Sequence, residues 1–262
     1  MYSVNWPKPE RSYDAVTVTI NKLFSKKWLA QASYTWSSLR GNFPGLFRGE
    51  NGQLDPNITS EYDLVALLGN KQGPLNGNKT NQIKLAGSYN ATLSPDVTLV
   101  PSINFQAFSG IPVSATAAQA LYGNGESYLL PRGAVGNLDW TIQLDAGAKV
   151  MWALSGPYTL QFSLDIFNLL NMQTAQWVDM NYTFDYAAPM QGAQCGNKTS
   201  ATSKDPLTSL NAACPDLPYA RTLEDRRISP NLNYGRPQNS AQGLISAYQA
   251  PISARFGVAL SF

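Results

Sequence analysis

The sequence predicts an all-β chain: an antiparallel transmembrane β-barrel segment of about seven strands, with short periplasmic turns and long extracellular loops. Three observations carry this prediction. First, two long period-two segments, residues 138–154 and 158–170, are joined only by the polar break Ser155-Gly156-Pro157-Tyr158. Their arms exceed the ~5–6 residues usual for a globular strand and suit a tilted bilayer strand of roughly 9–11 residues. Second, connections along the chain alternate short and long, which places all short turns at one end of the strands and all long loops at the other. Third, only 14% of the 262 residues are charged and mean hydropathy is −0.22, while no run approaches the ~18 apolar residues of a membrane helix.

The first strand, residues 13–24, sets Val16, Val18 and Ile20 against Thr17, Thr19 and Asn21, and Ser25-Lys26-Lys27 turns the chain. In residues 28–38 an outward row of Trp28, Ala30, Ala32, Tyr34 and Trp36 has aromatics at both ends, where an interfacial girdle needs them. Residues 39–78 are polar and rich in Gly and Asn, and form the first long loop. Residues 80–92 and 97–108, joined at Ser94-Pro95-Asp96, make the third and fourth strands. Pro101 cannot donate to a ladder, so a bulge or an early strand end is expected there. A second long loop spans 109–137 and precedes the hairpin of 138–154 and 158–170. The longest loop, 171–247, begins with Gln176–Phe184, which is expected to extend the strand above the membrane. Residues 250–262 form the last strand.

Net charge is +2 with Lys and Arg scattered, so there is no nucleic-acid footprint. Histidine is absent, which excludes Ser-His-Asp and Cys-His nucleophilic sites and removes the commonest transition-metal ligand. The chain is therefore read as neither an enzyme nor a cofactor protein. Cys195 and Cys214, both in the longest loop, make a poor metal site without His; a disulfide is expected, worth ~3 kcal/mol through loop entropy.

Seven strands is an odd number, and an open sheet in hydrocarbon leaves unpaired backbone groups that cost several kcal/mol each. Either a strand lies unrecognised near residues 1–12 or 176–186, or the chain belongs to a larger barrel. The start, Met1 to Pro7, has no basic or apolar signal region, so the larger barrel is preferred.

Several motifs then carry a resemblance. Leu164-Asp165-Ile166-Phe167-Asn168-Leu169-Leu170-Asn171 resembles the penultimate-strand pattern of TonB-dependent outer-membrane receptors, with Leu170 where the family has Phe. Ala254 to Phe262 is similar to the terminal assembly signal of outer-membrane barrels, carried by Phe256, Val258, Leu260 and Phe262. Gly73-Pro74-Leu75 and Leu130-Pro131-Arg132-Gly133 resemble the Oar-like branch, and the likeness covers residues 13–262.

The resemblance implies a barrel of roughly 22 strands enclosing a plug. It also implies a bacterial outer-membrane location and import of an extracellular ligand energised by TonB. All 262 residues then form one C-terminal segment whose partners are outer-membrane lipid, the remaining barrel and plug, the assembly machinery and, through an N-terminal part, the TonB complex. The inward residues Lys84, Asp139, Asp145, Lys149, Asp165 and Arg255 become a lumen wall that meets plug or solute, or ordinary lumenal polarity. Trp36, Phe47, Tyr122, Tyr128, Trp177, Tyr182 and Tyr186, in or beside the loops, become either stacking contacts for a ligand or loop packing.

Two other readings stay open. One is a small self-contained barrel or adhesin, which needs an eighth strand. The other is a soluble carbohydrate-binding β-sandwich, which predicts that Val16, Ile142, Phe162 and Val258 face a dry core.

Overall fold

A computed structural model describes residues 7–45, 48, 62–64, 67–186, 231–236 and 248–262. Its strands are β1 (Arg11–Ser25), β2 (Trp28–Gly41), β3 (Gly73–Pro74), β4 (Asn81–Tyr89), β5 (Ala91–Ser94), β6 (Val97–Phe108) and β7 (Pro112–Val113). They continue with β8 (Thr116–Gln119), β9 (Gly123–Tyr128), β10 (Gly136–Asn137), β11 (Thr141–Ala153), β12 (Thr159–Phe167), β13 (Asn181–Tyr186) and β14 (Ser253–Ser261).

The wall is a meander in the order β1-β2-β4-β6-β11-β12-β14, every ladder antiparallel. Apart from register shifts beside two turns, between Lys22 and Ser25 and between Thr92 and Ser94, register follows the period-two pattern without a slip of face. Val18 lies opposite Tyr34, Tyr34 opposite Ile83, Ile83 opposite Ala107 and Ala107 opposite Ile142. Leu99, Val150, Phe162 and Val258 form a second such row. Because a one-residue slip would invert every side chain, this continuity fixes one apolar face across all seven strands.

That apolar face is uncovered: Val16 is 61% exposed, Phe162 45% and Val258 70%, and Ile142 is only half-buried. The dry core that a soluble sandwich requires of these four residues is absent among the described residues. A water-soluble monomer seldom shows a contiguous apolar patch beyond a few hundred Å². The buried hydrophobic residues instead gather at the long-connection end, where Leu67, Leu75, Ala115, Ala117, Leu129, Val178 and Met180 are almost fully enclosed.

Several expectations change. Pro101 does not bulge or end its own strand: β6 continues through it, opposite Ala148 of β11. The interruption falls on the other neighbour, between β4 and β5, where Tyr89 and Asn90 would have faced Pro101 and Val100. A strand with a missing donor keeps one ladder intact if the gap lies opposite the proline. Residues 176–184 do not prolong β12. Asn181–Tyr186 crosses to pair in parallel with β8, which also pairs with β9. The 109–137 connection thus holds its own short strands, with β7 paired to β10. Asp139 lies before β11, outside the wall ladders, and Leu169 and Leu170 lie beyond β12.

Candidate functional site

The wall's other face is polar, built from the alternate positions of the same strands. Asp165 and Arg255 are directly opposite, and the guanidinium donates to the carboxylate at 2.8 Å. Gly147, next in that row, makes the space: a Cβ there would come within 2.6 Å of Ser102 Oγ and 2.9 Å of Asp165 Oδ1. Asp145 accepts from Asn104 at 3.2 Å, from Gln143 at 2.9 Å and from the backbone N–H of Asn168 at 2.9 Å, so it ties the end of β12 to β11. Lys149 lines a depression of about 420 Å³ with Ser102, Gln161, Ser163, Asp165 and Arg255. Lys84 stands further along the face, opposite Gln106, exposed, with its ammonium 5.8 Å from the Phe108 ring centroid. The face offers charges of both signs among small residues, which suits contact with a polar chain or solute.

The motif that ends β12 has a concrete task. Asn168 and Asn171 adopt φ 50° and 47°, a region where Asn is among the few side chains tolerated. Asn168 Nδ2 donates to Met172 O and to Ala250 O, and Asn168 Oδ1 accepts from Met172 N. Asn171 Oδ1 accepts from Ile252 N at 3.0 Å. Both asparagines therefore fasten the exit of β12 to the entrance of β14. Gln249 adds a bond from its side chain to Ile142 O at 2.8 Å.

The loop-end layer is held by buried charge that the sequence pattern does not reveal. Arg48, 1% exposed, pairs with Glu126 and donates to Gly125 O at 2.6 Å. The guanidinium groups of Arg48 and Arg132 lie 5.5 and 4.7 Å from the ring centroid of buried Tyr128. Gly73-Pro74-Leu75 and Leu130-Pro131-Arg132-Gly133 touch: a Cβ on Gly73 would meet Arg132 O at 2.2 Å, and one on Gly133 would meet Pro74. The two motifs were visible in the sequence; their contact was not. Asp179, 6% exposed, accepts from Asn181 and from Asn231 at 2.9 Å.

The aromatic residues singled out from the sequence are not brought into one surface. Tyr128 is buried, and Tyr182 packs edge-on against Tyr234 at 5.1 Å, so both serve loop packing. Burial pushes the Tyr234 phenol up to about 12. Trp36 sits on the apolar wall face opposite Val16. Trp177 is half-buried, and Tyr186 is 71% exposed. Tyr122 is exposed, and its donation to Asp63 at 2.9 Å raises its pKa. Phe47, Cys195 and Cys214 lie outside the described residues.

A sheet apolar on one face and polar on the other, antiparallel throughout, with its long connections at one end, defines the wall of a membrane β-barrel. Among the described residues no ladder joins β1 to β14. No protein-family model matches the chain, and no solved structure matches it. The chain is similar to TonB-dependent transporter Oar of Myxococcus xanthus, 36% identical over 261 residues, which is 100% of this chain. It spans 23% of that protein's length.

Proposed function

We propose that this chain is the C-terminal barrel segment of a TonB-dependent receptor in the bacterial outer membrane, which binds an extracellular ligand and imports it. The observation that carries the reading is the uncovered apolar face continuous over seven strands, in a chain similar along its whole length to a TonB-dependent transporter. Lipid is the solvent that face needs. Among the described residues no strand pairs with the outer sides of β1 and β14, and a bilayer penalises unpaired backbone groups by several kcal/mol each. Further strands therefore complete the barrel, and the chain forms one C-terminal barrel segment of wall strands and loops.

In this reading the polar face lines the lumen. Asp145, Asp165, Arg255, Lys149 and Lys84 meet a plug or a passing solute, with Asp139 at the loop end. The loop layer faces the ligand, and Phe256, Val258 and Leu260 on β14, with Phe262 just after it, present the alternating surface that the assembly machinery reads. The segment contributes to transport rather than to enzymatic chemistry, and TonB acts through another part of the receptor.

The test is an immunoblot of native outer membranes with an antibody against residues 171–247, with and without boiling. A heat-modifiable band several times larger than 28.5 kDa is expected. A heat-modifiable band at 28.5 kDa would establish a complete small barrel and end the import reading. Recovery in the soluble fraction would end the membrane reading as well.

A further inference from the structure

We infer that the β1–β2 turn is a docking site for the phosphate of an anionic phospholipid. The inference rests on the reading of the wall as membrane-spanning. Lys26 and Lys27 form the two-residue loop, at φ 51° and 72°, both in the left-handed region that a type I′ turn requires. Asn-Gly fills such a turn with less strain, whereas two lysines hold it against the steric preference of L-residues. What the lysines add is charge, since both are exposed at the tip of the longest wall hairpin.

A third lysine completes the site. Lys22 lies on the apolar face, opposite Ala30, where a free ammonium would be costly. Its side chain runs back to the turn and donates to Leu23 O at 2.9 Å, Ser25 Oγ at 2.6 Å and Ser25 O at 3.2 Å. The carbonyl oxygens that would repel an anion are thereby covered by a cation. The same ammonium lies 4.4 Å from the Trp28 ring centroid, and Trp28 faces Tyr89 across the ladder. Lys27 Nζ is anchored to Thr92 Oγ1 at 3.2 Å. Aromatic rings at the interface with cations just beyond them match a lipid whose acyl chains lie along the wall and whose phosphate reaches the turn.

The charge is local. The other two wall turns, Ser94-Pro95-Asp96 and Ser155-Gly156-Pro157-Tyr158, carry no Lys or Arg. Trp152, on the same face near the last of these, is thus an internal control.

The experiment reconstitutes the full-length protein in phosphatidylethanolamine vesicles that contain a minor fraction of brominated phosphatidylglycerol, or of brominated phosphatidylethanolamine in a matched set. Trp28 emission is isolated by difference from Trp28→Phe, and Trp152 emission likewise from Trp152→Phe. Quenching of Trp28 should report enrichment of the anionic lipid by roughly fivefold per lysine, weakening with salt. Trp152 should be quenched equally by both labels. The double variant Lys26→Asn/Lys27→Gly removes two charges while relaxing the turn, so the preference should fall sharply with the hairpin intact. Equal quenching of Trp28 by the two labels, or a preference unchanged in the double variant, would overturn the site. If neither label quenched Trp28 or Trp152, the membrane reading itself would fall, and the site with it.

Discussion

Asn168 is 3% exposed, sits at positive φ, and makes three side-chain hydrogen bonds, two to the Met172 backbone just after β12 and one to Ala250 O on the approach to β14. Each bond contributes about 1 kcal/mol net, and an orphaned buried partner costs more. Asn168→Ala should therefore lower stability by roughly 2–3 kcal/mol, read as a reduced unfolding midpoint of the folded barrel in detergent. Asn168→Gly relieves the backbone but loses the same bonds, so it should recover only a small part. Tyr234 supplies a pH signature in the loop layer. Its phenol is raised from 10.0 to about 12, so the folded chain keeps a proton that an unfolded chain loses. That contribution is complete below pH ~10 and is lost as pH rises through 12. Loop-layer protection from protease should fall across this alkaline window, and Tyr234→Phe should blunt the fall.

Strands of the wall differ in what they tolerate on their two faces. Phe162 faces the lipid side between Val150 and Val258, so Phe162→Arg should cost about 2–4 kcal/mol and reduce the assembled, heat-modifiable fraction. Arg255 belongs to an open ion pair, its side chain 70% exposed, and such pairs contribute about 0–1 kcal/mol. Arg255→Ala should leave the unfolding midpoint nearly unchanged. The contrast explains what the sequence makes legible. In a strand each residue's face follows from its parity, so Val16, Val18, Phe162 and Val258 could be assigned locally, and the ladders keep those assignments. Pro101 shows the limit, because the gap it demands opened in a neighbouring strand that parity says nothing about. The loop layer was less legible still. Arg48 and Arg132 meet the Tyr128 ring from separate stretches of chain, Arg48 also pairing with Glu126, and polar residues in a loop carry no period that marks them as buried. Residues 176–184 likewise read as a prolongation of β12, whereas the strand there, Asn181–Tyr186, has β8 as its partner, more than sixty residues earlier.

The molecule as a whole divides by solvent. Gly73 touches Arg132 O so closely that any side chain must part the two loop motifs, and overpacking of this kind costs about 1–3 kcal/mol. Gly73→Ala should make the loops susceptible to protease while the wall keeps its heat-modifiable migration. Among the described residues, buried apolar side chains other than Ala107 lie in the loop layer, while the wall displays its large apolar side chains outward. The hydrophobic effect therefore stabilises the layer from within and the wall from without. Agents that weaken aqueous burial, such as urea, should loosen the loops first, and detergents that strip lipid should act first on the wall. Changes in one half are thus buffered from the other, so the loop layer can be rebuilt without renegotiating the wall.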